Sequence, residues 1–118
     1  MEAHPFYEKL RDYFLLPGKS NIDKAKDFRT ILEDYFSAEN GSEAYVPLQS
    51  RVRDYFFEHS NYKHEIRQAA TELVHTYNQI VHGKITNVTT EDLRNLFAQT
   101  VGLIYIVSGE MPAENILR

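Results

Sequence analysis

Residues 61–83 read NYKHEIRQAATELVHTYNQIVHG, and the apolar side chains within them recur at helical spacing. This apolar stripe consists of Ile66, Ala70, Leu73, Tyr77 and Ile80, at intervals of four and three residues. Such a stripe is typical of an amphipathic helix that buries one face in a bundle. Gly83 suits the left-handed conformation that ends many helices. We therefore expect a helix over 62–82, and we expect it to be the longest of the chain.

Four further segments show the same periodicity, and turn-forming residues such as Pro17-Gly18 separate them. The predicted helices span 5–15, 21–37, 47–59 and 90–107. Thr89 and Asp92 resemble a capping box at the start of the last helix. The run 103–107 has strand propensity, but no second strand is predicted to pair with it, so we assign it to that helix. The pattern predicts an all-α fold, an antiparallel bundle of four to five helices in a single domain.

The composition places limits on the class of protein. With 118 residues, 42% of them hydrophobic, the chain suffices for one core. It has no cysteine, which excludes disulfides, thiolate metal sites and cysteine nucleophiles. No apolar run approaches the roughly 18 residues of a membrane span, and Met1–Pro5 lacks the start of a secretory signal. We expect a cytoplasmic domain with no membrane partner.

The net charge is −4, from 13 basic and 17 acidic residues. Proteins that bind duplex DNA through many phosphates usually carry a basic stripe, which is missing here. Duplex DNA is therefore not an expected partner. A local basic site, which a dimer could assemble, remains open.

A second line of side chains runs beside the apolar stripe on the predicted helix over 62–82. It consists of Arg67, Thr71, His75, Asn78 and His82, at intervals of four, four, three and four residues. Imidazoles exchange protons near neutral pH, and amide and guanidinium groups orient phosphates or carbonyls. The line is compatible with a functional site. The alternative, which the spacing alone favours, is a bundle flank whose polar groups bind water or neighbouring helices.

Arg29 is unusual because it falls inside the apolar arc of the second predicted helix. A guanidinium there is costly unless it is paired, and Glu33 is the partner four residues on. One interpretation is a structural salt bridge at the edge of the bundle. The other is that Arg29 or Glu33 crosses the bundle to hold the Asn78/His82 end of the neighbouring helix.

The histidine spacing does not favour a metal. His75 and His82 are two helical turns apart, about 10 Å, which is too far to share one ion. Glu72 and His75 have the spacing of a di-iron ligand pair, but that motif occurs once here and such sites need it twice. We expect no metal and no other cofactor.

Two segments carry a resemblance to a known superfamily. Residues 24–33, KAKDFRTILE, are similar to the second helix of HEPN-like domains, and residues 77–83, YNQIVHG, resemble their motif helix. The second segment matches the Asn-x-x-x-His-Gly form found beside restriction and other defence proteins. The likeness extends over about 23–108.

The resemblance implies a helical bundle that dimerises with its motif helices facing each other. Active members are metal-independent ribonucleases, in which a histidine and an arginine assist attack of a ribose 2′-hydroxyl on the adjacent phosphate. His82 takes the histidine position and Asn78 the polar position. Tyr77 stands where the arginine belongs, and it cannot supply a permanent positive charge. Arg29 or Arg67 would have to replace it.

Three functions remain open, and we favour the first. It is a catalytically degenerate HEPN-like module that binds a partner protein, a nucleotide or RNA and forms a homodimer, in a defence or mobile-element system. The second is a metal-independent ribonuclease that uses His82 as general acid and base. The third is a plain helical adaptor. The candidate catalytic residues are His82 and Asn78, and the candidate binding or supporting residues are Arg29, Glu33, Arg67, His75 and Tyr77.

Overall fold

The computed structural model describes residues 5–40, 47–59 and 61–109. In this part of the chain every regular element is a helix: α1 (Pro5–Leu15), α2 (Asn21–Asn40), α3 (Leu48–Glu58), α4 (His64–Val81) and α5 (Thr90–Ser108). The helices form a bundle, which confirms the predicted all-α fold. None of the described helices has the length and apolar character that crossing a bilayer requires.

Helix α2 lies at the centre of the bundle and contacts each of the four other helices. Its buried face is largely aromatic, and rings from other helices pack against it. The ring centroids of Phe28 and Phe97 are 5.9 Å apart, and those of Tyr35 and Phe6 are 5.2 Å apart. Because aromatic rings bury large apolar areas, this face supplies much of the hydrophobic stabilisation of the bundle.

The apolar stripe predicted on α4 is buried along its whole length. On the other side of the core, the run 103–107 is helical and belongs to α5, as predicted. Thr89 caps α5 as expected: its hydroxyl accepts from the backbone N–H of Asp92 at 3.0 Å, and the Asp92 carboxylate accepts from the backbone N–H of Thr89 at 3.1 Å.

Several helix ends differ from the prediction. Helix α4 has 18 residues and α2 has 20, so the expectation that α4 is the longest helix was wrong. Tyr62, two residues before α4, packs its ring against Phe56 of α3, and the two ring centroids are 5.2 Å apart. Helix α4 therefore begins at His64. It ends at Val81, and Gly83 follows in the left-handed conformation at φ +76°.

A buried arginine fastens α3 to α2. Arg51 is 2% exposed, and its Nη1 donates to the backbone carbonyl of Glu33 at 2.7 Å and to the hydroxyl of Ser37. We did not single out this residue from the sequence. Its position three residues after Leu48 and four before Tyr55, in the middle of an apolar stripe, is the signal that could have identified it.

We expect Arg51→Met to lower the free energy of unfolding by about 1–3 kcal/mol, because two acceptors on α2 lose a charged donor while the packed stem is kept. Arg53→Met, on the exposed side of the same helix, should change it by less than about 0.5 kcal/mol. Urea unfolding of both variants tests this. Equal stability of the two variants would contradict a structural role for Arg51.

Candidate functional site

Helices α3 and α4 form an antiparallel hairpin with an open groove on its outer surface. The groove encloses about 430 Å³, a size found in binding sites for small ligands. Three apolar side chains, Val52, Phe56 and Val74, are buried beneath it. The polar side chains around it are Gln49, Arg53, Arg67, Thr71, His75 and Asn78. Four of the five residues in the predicted polar line on α4 therefore share one surface.

The groove is a local basic site on an acidic protein. Arg53, Arg67 and His75 line it, and no Asp or Glu is among the lining residues. Arg53 lies 3.5 Å from the carboxylate of Asp54, but both side chains are exposed and such pairs are weak. Arg67 is exposed and makes no ion pair with any described residue. The groove therefore favours a ligand that carries negative charge.

An aromatic ring stands at the edge of this groove. Phe57 lines the groove and is 85% exposed, in contrast to the buried Phe56 beside it. A phenylalanine with this exposure is available to contact a ligand or another protein. Sequence reasoning missed Phe57 and Arg53. No pattern within α3 distinguishes Phe57, because the neighbouring rings of Tyr55 and Phe56 are both buried in the same helix.

A polar contact joins α2 to the groove. Arg29 donates from Nη1 to Oε1 of Glu33 at 2.8 Å and from Nη2 to Oδ1 of Asn78 at 3.4 Å. The side chains of Arg29 and Glu33 are only 21% and 23% exposed, so the ion pair is largely shielded from water. The pair with Glu33 is present, and of the two interpretations the contact across the bundle is seen to Asn78 but not to His82. The guanidinium reaches the groove only through the Asn78 side chain.

His82 lies apart from the other residues of the polar line. It is the residue that caps the C-terminus of α4, its side chain is exposed, and it does not line the groove. Its imidazole makes no hydrogen bond or ion pair with the described residues. The structure thus brings Arg29 and Asn78 together and leaves the candidate catalytic histidine outside.

Tyr77 is a core residue and faces α5. It is 1% exposed, and its hydroxyl forms a hydrogen bond of 2.5 Å with the hydroxyl of Thr100. Burial raises the pKa of Tyr77 far above its ordinary value. Tyr77 therefore supports the site only by packing α4 against α5. Tyr77, the residue that the HEPN-like resemblance places at the motif arginine, is therefore an uncharged core residue.

Within residues 5–40, 47–59 and 61–109, no three His, Asp or Glu side chains are arranged to hold a metal ion. Comparisons of the chain with family models, with curated proteins and with solved structures found no match. The HEPN-like resemblance therefore stays a prediction that rests on the two segments quoted above.

We expect Tyr77→Phe to lower the free energy of unfolding by about 1 kcal/mol at neutral pH, because the buried Thr100 hydroxyl loses its partner. The wild type should also lose stability as the pH rises above 10, the ordinary pKa of tyrosine, because the unfolded state then ionises Tyr77 and the folded state does not. Tyr77→Phe has no phenol to ionise at this position, so it should not show the loss of stability that Tyr77 causes above pH 10.

Urea unfolding at pH 7, 10 and 11 measures both effects. Tyr13→Phe, which alters an exposed ring, is the matched control and should follow the wild-type profile. If the free energy of unfolding of Tyr77→Phe falls with pH in parallel with that of the wild type, the claim that Tyr77 stays un-ionised in the folded state is wrong.

Proposed function

We propose that this chain is a non-catalytic binding module whose α3/α4 groove takes a nucleotide unit, either free or within single-stranded RNA. The observation that supports this is the combination of Arg53, Arg67 and His75 around an apolar floor with no acidic lining residue. An anionic ligand with a planar ring satisfies both the basic rim and the apolar floor. A HEPN-like origin in a defence or mobile-element system is compatible with this proposal.

Each part of a nucleotide has a suitable contact. Guanidinium groups hold phosphate oxygens in a forked geometry, which suits Arg67 and Arg53. Bases of single-stranded RNA stack on aromatic side chains, and Phe57 exposes most of its ring. Two arginines neutralise few phosphates, so binding should be only moderately sensitive to salt, with a slope of about −1.4 in a plot of log K against log salt.

The same geometry does not favour the alternative of a ribonuclease that uses His82. Arg67 and His75 share the groove, but His82 does not join them. A transition state with extra charge on the phosphate needs a cation and a proton-transferring group at one place. His82 is exposed at the end of α4, outside the groove, and Tyr77 is buried and neutral. Arg29 is engaged by Glu33 and Asn78.

We expect a short fluorescent single-stranded RNA to bind the wild-type protein and to remain uncleaved without added metal. Arg67→Glu should weaken binding about tenfold or more, because it replaces a phosphate contact with a repulsive charge. Arg94→Glu makes the same charge change on the exposed face of α5 and should have less effect. His82→Ala should bind like the wild type.

Fluorescence anisotropy and a gel of the same RNA give the two readouts, and competition by uridine monophosphate separates a free nucleotide from a strand. Equal weakening by Arg67→Glu and Arg94→Glu would remove the groove as the binding site. Cleavage that His82→Ala abolishes would instead establish the ribonuclease.

The exposure of Phe57 also favours a second candidate, self-association through the same groove. An exposed ring beside an apolar floor is typical of protein contact surfaces. The homodimer expected from the resemblance would cover this surface with a second copy. A second copy in the groove would compete with a nucleotide for the same surface.

We expect sedimentation velocity at high micromolar concentration to show a dimer for the wild type and a monomer for Phe57→Ser, because the variant removes the exposed ring. Leu15→Ser is the control, since Leu15 is 66% exposed on α1. A wild-type monomer at this concentration would exclude self-association and would leave the proposal on RNA standing.

A further inference from the structure

The carboxamide of Asn78 lies between α2 and the groove. Its oxygen accepts from Nη2 of Arg29 at 3.4 Å, and the residue also lines the groove. A guanidinium has donors only, so the group of Asn78 that faces it must be the oxygen. The chemistry of Arg29 therefore decides which way the amide of Asn78 is turned.

Glu33 keeps Arg29 in this position. The ion pair of 2.8 Å spans one turn of α2 and is largely shielded from water. If Arg29 swung towards the groove, it would leave the Glu33 carboxylate partly buried without its partner, which is costly. The oxygen of Asn78 thus stays turned towards Arg29 while the groove is open.

It follows that Asn78 has its NH₂ group left for a ligand. The nearby cations Arg53 and Arg67 are also donors only. A ligand atom that meets the NH₂ group of Asn78 should therefore be an acceptor, because an amine placed there would face another amine. Sites built to hydrogen-bond one group discriminate strongly against an analogue that cannot form the bond.

We propose that Asn78 is a specificity-determining residue that favours bases with a carbonyl oxygen at the contacted edge, such as uracil and guanine, over cytosine and adenine, which carry an amine there. Arg29 acts as the positioning residue that turns the amide. This inference rests on the proposed function, because it concerns which base the groove accepts.

The comparison of oligouridine with oligocytidine tests the inference, since the two pyrimidines are alike in size. We expect the wild type to bind oligouridine about fivefold more tightly, the effect of one hydrogen bond. Asn78→Asp keeps the bond to Arg29 but offers an acceptor to the ligand, so its preference should reverse. Arg29→Met should bring the ratio of the two affinities close to one.

Asn95→Asp is the matched control, because it adds the same charge on α5 and should keep the wild-type ratio. An unchanged ratio in Asn78→Asp, or equal binding of both strands by the wild type, would overturn this inference alone. If neither the two strands nor uridine monophosphate bind, the proposed function fails and this inference fails with it. Should Arg29→Met not fold, the ratio in Asn78→Asp decides the matter.

Discussion

Helix α2 contacts each of the four other described helices. Charged side chains at these contacts are shielded from water and therefore need polar partners. Two guanidinium groups meet there. Arg29 is held by Glu33 and Asn78, and Arg51 from α3 donates to the Glu33 carbonyl and to Ser37. Because a cation shielded from water is costly without a partner, these bonds help to hold α3 and α4 on α2. The groove between α3 and α4 takes its shape from that constraint.

The groove and the Asn-x-x-x-His segment give different indications of function. The segment directs attention to His82, which is exposed at the end of α4. The groove instead gathers Arg67, His75 and Asn78 from the same helix and adds Phe57 from α3. No Asp or Glu is among the residues that line the groove, although the net charge of the whole chain is −4. The physical consequence is a moderate, local attraction to an anionic group, which does not require a basic stripe.

Much of the fold was predictable because helical periodicity is a local property. The bounds of α1 agree with the prediction, and the apolar stripe of α4 is buried. The start of α4 was not predictable, because it depends on the packing of Tyr62 against α3. Arg67, His75 and Asn78 could be grouped because they share one helix face, whereas His82 lies past the last helical residue. Phe57 was missed because no pattern within one helix tells which faces of two helices meet.

Mapping of amide chemical shifts during titration with a short single-stranded RNA tests the location of the binding site most directly. The largest changes should fall on both walls of the groove, at residues such as Val52 and Phe57 on α3 and Thr71 and His75 on α4. Changes centred on His82 and the α4–α5 connection, or no changes at all, would contradict the assignment of the groove.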